Sequence, residues 1–154
     1  MAEPSRPSDF DADCQDILTR CACEALRRTS RAVTTRYMQR LRGVDVTAAQ
    51  LPILVAAQVM GPVPVTVLAT QLLMDRTTLT RNLVGLQEAH LVTVQQDVDR
   101  RVRLVALTAA GRRTLRRAIR AWREAQSQME SLFGGERMSA LVRELESLAR
   151  AAAG

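Results

Sequence analysis

The chain contains no lysine: all 22 of its basic residues are arginine. Aromatic residues make up only 3% of it, so the 47% apolar fraction must build a core from Leu, Val, Ala and Met, as helical proteins do. There is a single histidine, at the end of a helical run, and no His-Glu-x-x-His spacing, glycine-rich phosphate loop or nucleophile elbow. The carboxylates are scattered along helix faces instead of being gathered for general acid–base work. Hence no catalytic residue, metal ligand set or cofactor is expected, and the chain does not read as an enzyme. No apolar run approaches the roughly 20 residues that cross a bilayer, and the polar, Pro-containing start lacks the form of a signal peptide. The expectation is a cytoplasmic protein with no membrane contact and a disordered tail over residues 1–10. At 154 residues it is one domain, or one domain with oligomerisation helices, and long enough to bury a core.

The distribution of charge says more than its total, because GC-rich coding alone would replace lysine by arginine. Between Arg76 and Arg123 there are 11 arginines against 3 acids, a net of +8; the remainder holds 11 arginines and 13 acids, a net of −2. Arginine forks onto phosphate oxygens and guanine edges in ways lysine does not. A segment holding the whole positive excess is the footprint of nucleic-acid binding, and its blander reading is a solvated helix face.

Apolar residues recur at helical spacing from Asp11 to Leu41, predicting one long first helix ended by Gly43. Thr47 is placed to cap a second helix through Leu51, Leu54, Val55 and Val59, and Gly61-Pro62-Val63-Pro64 breaks the chain. A short third helix, residues 65–73, is expected to bury Val67, Leu68, Leu72 and Leu73. Asp75 caps a fourth, from Arg76 to about Ala89, with Leu79, Leu83 and Leu86 inward and Arg76, Thr77, Thr80, Arg81 and Val84 outward. Two helices joined by so tight a turn form a helix-turn-helix pattern. Residues 91–95 and 102–107 predict a hairpin with a charged loop, Gln96 to Arg101. Thr108 caps a fifth helix through Leu115, Ile119, Trp122, Gln126, Met129 and Phe133. After Gly134-Gly135 a sixth carries Met138, Leu141, Leu145 and Leu148, a narrow stripe suited to pairing with another helix. A polar helix face fits base edges in a major groove, and an arginine-tipped ribbon fits the minor groove beside it; together they argue for reading duplex DNA.

The span from Val65 to Arg113 resembles the winged helix-turn-helix of the MarR (multiple antibiotic resistance regulator) family. The resemblance rests on Leu72-Leu73-Met74-Asp75-Arg76-Thr77-Thr78-Leu79-Thr80-Arg81, then Leu86 and Leu91-Val92. It continues in Asp97-Val98-Asp99-Arg100-Arg101 and Leu107-Thr108-Ala109-Ala110-Gly111-Arg112. The helix order outside this span agrees. The resemblance implies a mainly α fold with a small β-hairpin wing, dimerised by its N- and C-terminal helices. Its parts would be the tail 1–10, an N-terminal dimerisation helix 11–44, a winged helix-turn-helix DNA-binding domain 45–108 and C-terminal dimerisation helices 109–154. It further implies a homodimer that binds a palindromic, double-stranded operator. That dimer would repress nearby genes and be released by a small-molecule effector, of unknown identity, or by a thiol-reactive signal. His90 stands where the family often has a helix-ending glycine, and His tolerates left-handed backbone better than most residues.

By this resemblance Arg76, Thr77, Thr78, Thr80, Arg81 and Asn82 belong to the DNA-binding helix. Two readings of Asn82 stand open, an amide offered to adenine or a local bridge. In the wing, Arg101 is assigned to the minor groove, Arg100 and Arg103 to phosphates, and Asp97 and Asp99 to holding the loop by pairing with one of the arginines. Cys14, Cys21 and Cys23 lie on the first helix and are read either as small core residues or as sensor thiols that meet across a two-fold axis. The competing function is a sequence-indifferent architectural DNA-binding protein, which the basic charge fits equally well.

Overall fold

A computed structural model of the chain describes residues 9–99 and 101–153. Its elements are α1 (Asp9–Arg20), α2 (Ala22–Arg40), α3 (Leu51–Met60), β1 (Val63–Pro64), α4 (Val65–Gln71), α5 (Arg76–Glu88), β2 (Val92–Gln96), β3 (Arg103–Leu107), α6 (Ala109–Phe133) and α7 (Gly135–Ala153). Short polar side chains set several of the boundaries. Thr47 and Gln50 form a reciprocal capping box: the Gln50 N–H donates to Thr47 Oγ1 at 3.2 Å and the Thr47 N–H to Gln50 Oε1 at 3.0 Å. Asp75 Oδ1 accepts the Thr78 N–H at 2.8 Å to start α5, and Thr108 Oγ1 accepts the Gly111 N–H at 2.9 Å to start α6. At the end of α5, the Leu91 N–H reaches Leu86 O and the His90 N–H reaches Gln87 O. This closure requires a left-handed residue, and His90 supplies it at φ 55°.

The chain divides into two compact units, residues 1–36 and 37–154. The first holds α1 and most of α2. The single long helix expected there is interrupted at Cys21. Two residues earlier the Thr19 hydroxyl donates to Gln15 O at 2.8 Å. Asp9 and Phe10, expected in a disordered tail, already belong to α1; the rest of that tail lies outside the described residues. No residue of α1 is buried.

In the second unit, α3, α4, α5 and the start of α6 enclose one apolar core with a small sheet. Ile53, Leu54, Leu68, Leu79, Leu86 and Val105 are its fully buried large side chains, each worth about 1.5–3 kcal/mol on burial. The sheet runs β1-β3-β2, all antiparallel. Val92 faces Leu107, Val94 faces Val105 and Gln96 faces Arg103, so one face is apolar at the base of the hairpin and polar toward its tip. The sequence reading missed β1, where Val63 pairs with Val105 and Pro64 with Leu104; Pro64 sits on an edge, where its missing N–H costs no ladder bond. Two residues expected in the core are not there: Val67 is 37% exposed and Leu73 is 64% exposed. No helix among the described residues is long and apolar enough to cross a membrane.

The base of the wing explains the Leu-Thr-x-x-Gly-Arg spacing physically. Leu91 O accepts the Thr108 N–H at 3.1 Å, and Thr108 Oγ1 donates to His90 O at 2.7 Å. A Cβ at Gly111 would stand 1.9 Å from that same Leu91 oxygen, so only glycine lets α6 pack there. Arg112 then turns back, donating from Nη1 to Leu107 O at 2.9 Å. Hairpin and helix are thus locked at one corner.

Candidate nucleic-acid interface

With Leu79, Leu83 and Leu86 buried, the opposite face of α5 presents Arg76, Thr77, Thr80, Arg81 and Val84, all exposed. Leu79 and Leu83 fix the rotation of the helix, and Asp75 fixes its start. Both carboxylate oxygens of Asp75 serve as that cap. Oδ2 also accepts the Thr78 hydroxyl at 2.6 Å, and these hydrogen bonds hold the carboxyl below its ordinary value of 3.8. Two of the expected DNA-binding residues of α5, Thr78 and Asn82, are half-buried. Thr78 is half-buried, with both its N–H and its hydroxyl on Asp75. Asn82 is half-buried and donates from Nδ2 to Thr78 O at 2.8 Å, the local bridge among its two readings. Both make hydrogen bonds within the first turns of α5, while the four polar outward residues, Arg76, Thr77, Thr80 and Arg81, are exposed.

Among the described residues the wing aspartates bond to backbone N–H groups of their own loop. Asp97 Oδ1 accepts the Val98 N–H at 2.7 Å and Asp99 Oδ1 accepts the Arg101 N–H at 3.0 Å. The Asp97 N–H to Val102 O and the Val102 N–H to Asp99 O close the turn at 2.9 and 2.8 Å. These backbone donors lie one and two residues away from the short carboxylates that accept from them. No aspartate–arginine pair is formed with Arg101 or Arg103, both exposed and without an ion pair among the described residues. Arg100, assigned from the sequence to a phosphate, lies outside the described residues.

These two elements bound one cleft of about 480 Å³. Arg76 and Thr80 line one side from α5, Arg101 and Arg103 the other from the wing, and Thr66 and Thr70 reach in from α4. Its floor is apolar: Val65, Ala69, Leu79 and Val102. Three arginines and three hydroxyls around a concave surface give a set of donors suited to phosphate oxygens and base edges. Sequence reasoning missed Thr66 and Thr70, because only the packing of α4 against β1 and the wing brings them to the cleft. Among the described residues no group of three or more His, Cys, Asp or Glu is placed to hold a metal ion. The cysteines belong to the first unit, as free thiols; Cys14 and Cys23 are exposed and Cys21 is half-buried.

Solved structures match the chain closely in fold. The transcriptional regulator MosR of M. tuberculosis, crystallised in complex with DNA, is 32% identical over 86% of this chain and 96% of its own, with a TM-score of 0.79. The chain belongs to the MarR family. The transcriptional repressor CouR, bound to a 23-mer DNA duplex, is 26% identical over 86% of this chain and 95% of its own, with a TM-score of 0.79. PcaV of Streptomyces coelicolor, in complex with its natural ligand, shares the fold at a TM-score of 0.80 and 19% identity, covering 88% of this chain and 96% of that one. No protein-family model and no curated protein matches the sequence. The seven helices and the three-stranded antiparallel sheet with its hairpin wing, among the described residues, match the winged-helix MarR regulators. The left-handed His90 is thus accommodated in the family fold without a change of shape.

Proposed function

We propose that the protein is a ligand-responsive transcriptional regulator that binds duplex DNA as a homodimer through α5 and the wing. The observation that carries this is the cleft itself: the unpaired donors of α5 and the wing converge on one surface, in a MarR-family chain resembling regulators crystallised on DNA. Arg76, Thr77, Thr80 and Arg81 enter the major groove or grip its phosphates, Arg101 enters the adjoining minor groove, and Arg103 and Arg100 hold phosphates. The assignment of residues 11–44 and 109–154 to dimerisation is supported by α1 and α7, neither of which buries a single residue within one chain. Two readers related by a two-fold axis demand an inverted-repeat operator with half-sites about one helical turn apart. The chain acts in the cytoplasm, where DNA is, and carries no enzymatic activity.

The test is selection of bound duplexes from a random pool, followed by affinity measurement on the selected and a scrambled sequence at physiological salt. A regulator discriminates by roughly 10³-fold or more; binding within a few-fold would establish the architectural alternative instead.

A small-molecule effector releases the protein from DNA; the similar repressor CouR has a structure bound to a DNA duplex and another bound to p-coumaroyl-CoA. The free Cys14, Cys21 and Cys23 supply a second route. Oxidant or a thiophilic metal lowers DNA affinity in the wild type and leaves a Cys14→Ser, Cys21→Ser, Cys23→Ser variant unaffected; equal response of the two proteins removes the thiols from the mechanism.

A further inference from the structure

The positive excess of the chain is not confined to the cleft. Six arginines crowd the first four turns of α6: Arg112, Arg113, Arg116, Arg117, Arg120 and Arg123. Two have backbone partners, Arg112 on Leu107 O at 2.9 Å and Arg117 on Gly43 O at 2.5 Å. The other four, all exposed, fall within an arc of about 80° along about 15 Å of helix. Among the described residues the ion pairs are Arg20–Asp16 and Arg31–Glu24, so none of these four arginines is ion-paired, and Glu124 is the one acid within the span of the stripe or one residue beyond it. The arrangement is unfavourable for the helix by itself. Arginines three and four residues apart repel, and the first turn of α6 holds Arg112 and no acid, against the sense of the helix dipole. A polyanion removes both costs.

The stripe also stands outside the cleft. Strand β3 runs from Arg103, beside the wing tip, to Leu107 at the base, and α6 starts there, roughly 15 Å from the tip. None of the stripe's residues lines the cleft. Besides the four arginines, that arc of α6 carries only Ala109, Ser127 and Ser131, without the apolar anchors on which protein interfaces are centred. An exposed row of guanidinium groups with nothing large and apolar among them matches a phosphate backbone, and 15 Å of duplex carries about nine phosphate charges.

We propose that Arg113, Arg116, Arg120 and Arg123 form a second DNA surface, which takes up the phosphates of operator-flanking duplex bent back beyond the wing. The proposal rests on the DNA-binding function proposed for α5 and the wing, and adds a requirement for flanking length. The experiment uses the full-length dimer, a selected duplex of about two helical turns and the same duplex lengthened by about one turn at each end. The wild type should bind the longer duplex tenfold or more tightly, with a salt slope steeper by about 0.9 for each added phosphate contact. A variant carrying R113Q, R116Q, R120Q and R123Q should bind both lengths alike and keep the affinity of the short duplex within about twofold. Its helix should melt at an equal or higher temperature, since repulsion has been removed. Equal affinity of the wild type for both lengths overturns the proposal, as does a variant that retains the length increment. Loss of the short duplex by a folded variant would place the stripe in the primary reader and also overturn it. If selection enriches no sequence, the regulator reading fails separately. The stripe is then read on random-sequence duplexes, where the quadruple variant must still lose salt slope and length increment.

Discussion

The reader and the outer helices of this protein solve the problem of apolar surface in opposite ways. Around α5 and the wing every large inward side chain is covered within one chain, and the caps, the hairpin and Gly111 interlock through backbone contacts. Helix α7 carries an equally regular stripe, yet Val142, Leu145 and Leu148 remain 45%, 38% and 46% exposed and none of its residues is buried. Helix α1 likewise leaves Phe10, Ile17 and Leu18 bare. The reader covers its own apolar surface, whereas α1 and α7 leave theirs bare, as the halves of the proposed dimer interface would. The stability of the fold and the affinity of the regulator therefore depend on different residues, and substitutions should separate them.

The largest effect is expected at Gly111. Replacing it by alanine drives a Cβ to 1.9 Å from Leu91 O, and both partners are backbone that cannot swing aside. Gly111→Ala should cost about 3 kcal/mol of stability, at the upper end of overpacking, measured by chemical denaturation. Gly135→Ala, at the start of α7 where nothing lies within 4 Å, is the control and should be close to neutral. Similar losses at both glycines would erase the contrast between a locked reader and open outer helices.

Leu145→Glu with Leu148→Glu attacks the other half of the comparison. These side chains are exposed in one chain, so the reader should stay folded while the homodimer dissociates. Operator affinity should fall by roughly 10²-fold or more, as two linked half-sites become one. Sedimentation and binding on the same sample test both parts; a dimer that survives the two charges would exclude this stripe from the interface.

How legible these regions were in the sequence follows the same division. Leu79, Leu83 and Leu86, the Asp75 cap and the Thr108–Gly111 spacing were readable because their partners lie within a turn or two, or recur in a helical period. The wing aspartates were readable as loop supports, but their bonds to the Val98 and Arg101 N–H groups were not, because these depend on loop geometry. Strand β1 was invisible, being two residues that become a strand only by pairing with β3. The inward placement of Val67 and Leu73 failed because a seven-residue helix is too short for its period to show which side faces the core. Leu73 in addition takes a left-handed conformation, φ 48°, that carries it off the helix. Thr66 and Thr70 gained their place in the cleft from contacts that no local pattern encodes.

Within the reader, Arg101→Ala should act on binding and leave the fold unchanged, since the loop is held by the backbone N–H of residue 101 and not by its side chain. Affinity for the selected duplex should fall at least tenfold, and the salt slope should decline by roughly one counterion per subunit. An unchanged slope would take Arg101 off the DNA; a lowered melting temperature would mean that its side chain supports the wing after all.

The smallest expected effect, and the one most confined to the reader, concerns the charge of Asp75. Its carboxylate accepts first the Thr78 hydroxyl and then the Thr78 N–H, and these bonds hold its folded pKa below the usual 3.8. A group whose pKa is lowered by folding lends stability that is complete above its unfolded value and is lost as pH falls through the folded one. Acidification below about pH 3.8 should thus loosen the start of α5 in the wild type. Asp75→Asn keeps an acceptor for the Thr78 N–H and cannot titrate. It should begin slightly less stable at neutral pH, because the uncharged amide is the weaker acceptor facing the helix N-terminus. Below pH 3.8 its stability should decline less steeply than that of the wild type, a difference visible in paired thermal melts at pH 7 and pH 3. Parallel declines would show that the cap works through its shape alone. The position of Arg76 and Thr77 on DNA would then owe nothing to the charge beside them, and the reader would be held, like the wing loop, by hydrogen-bond geometry throughout.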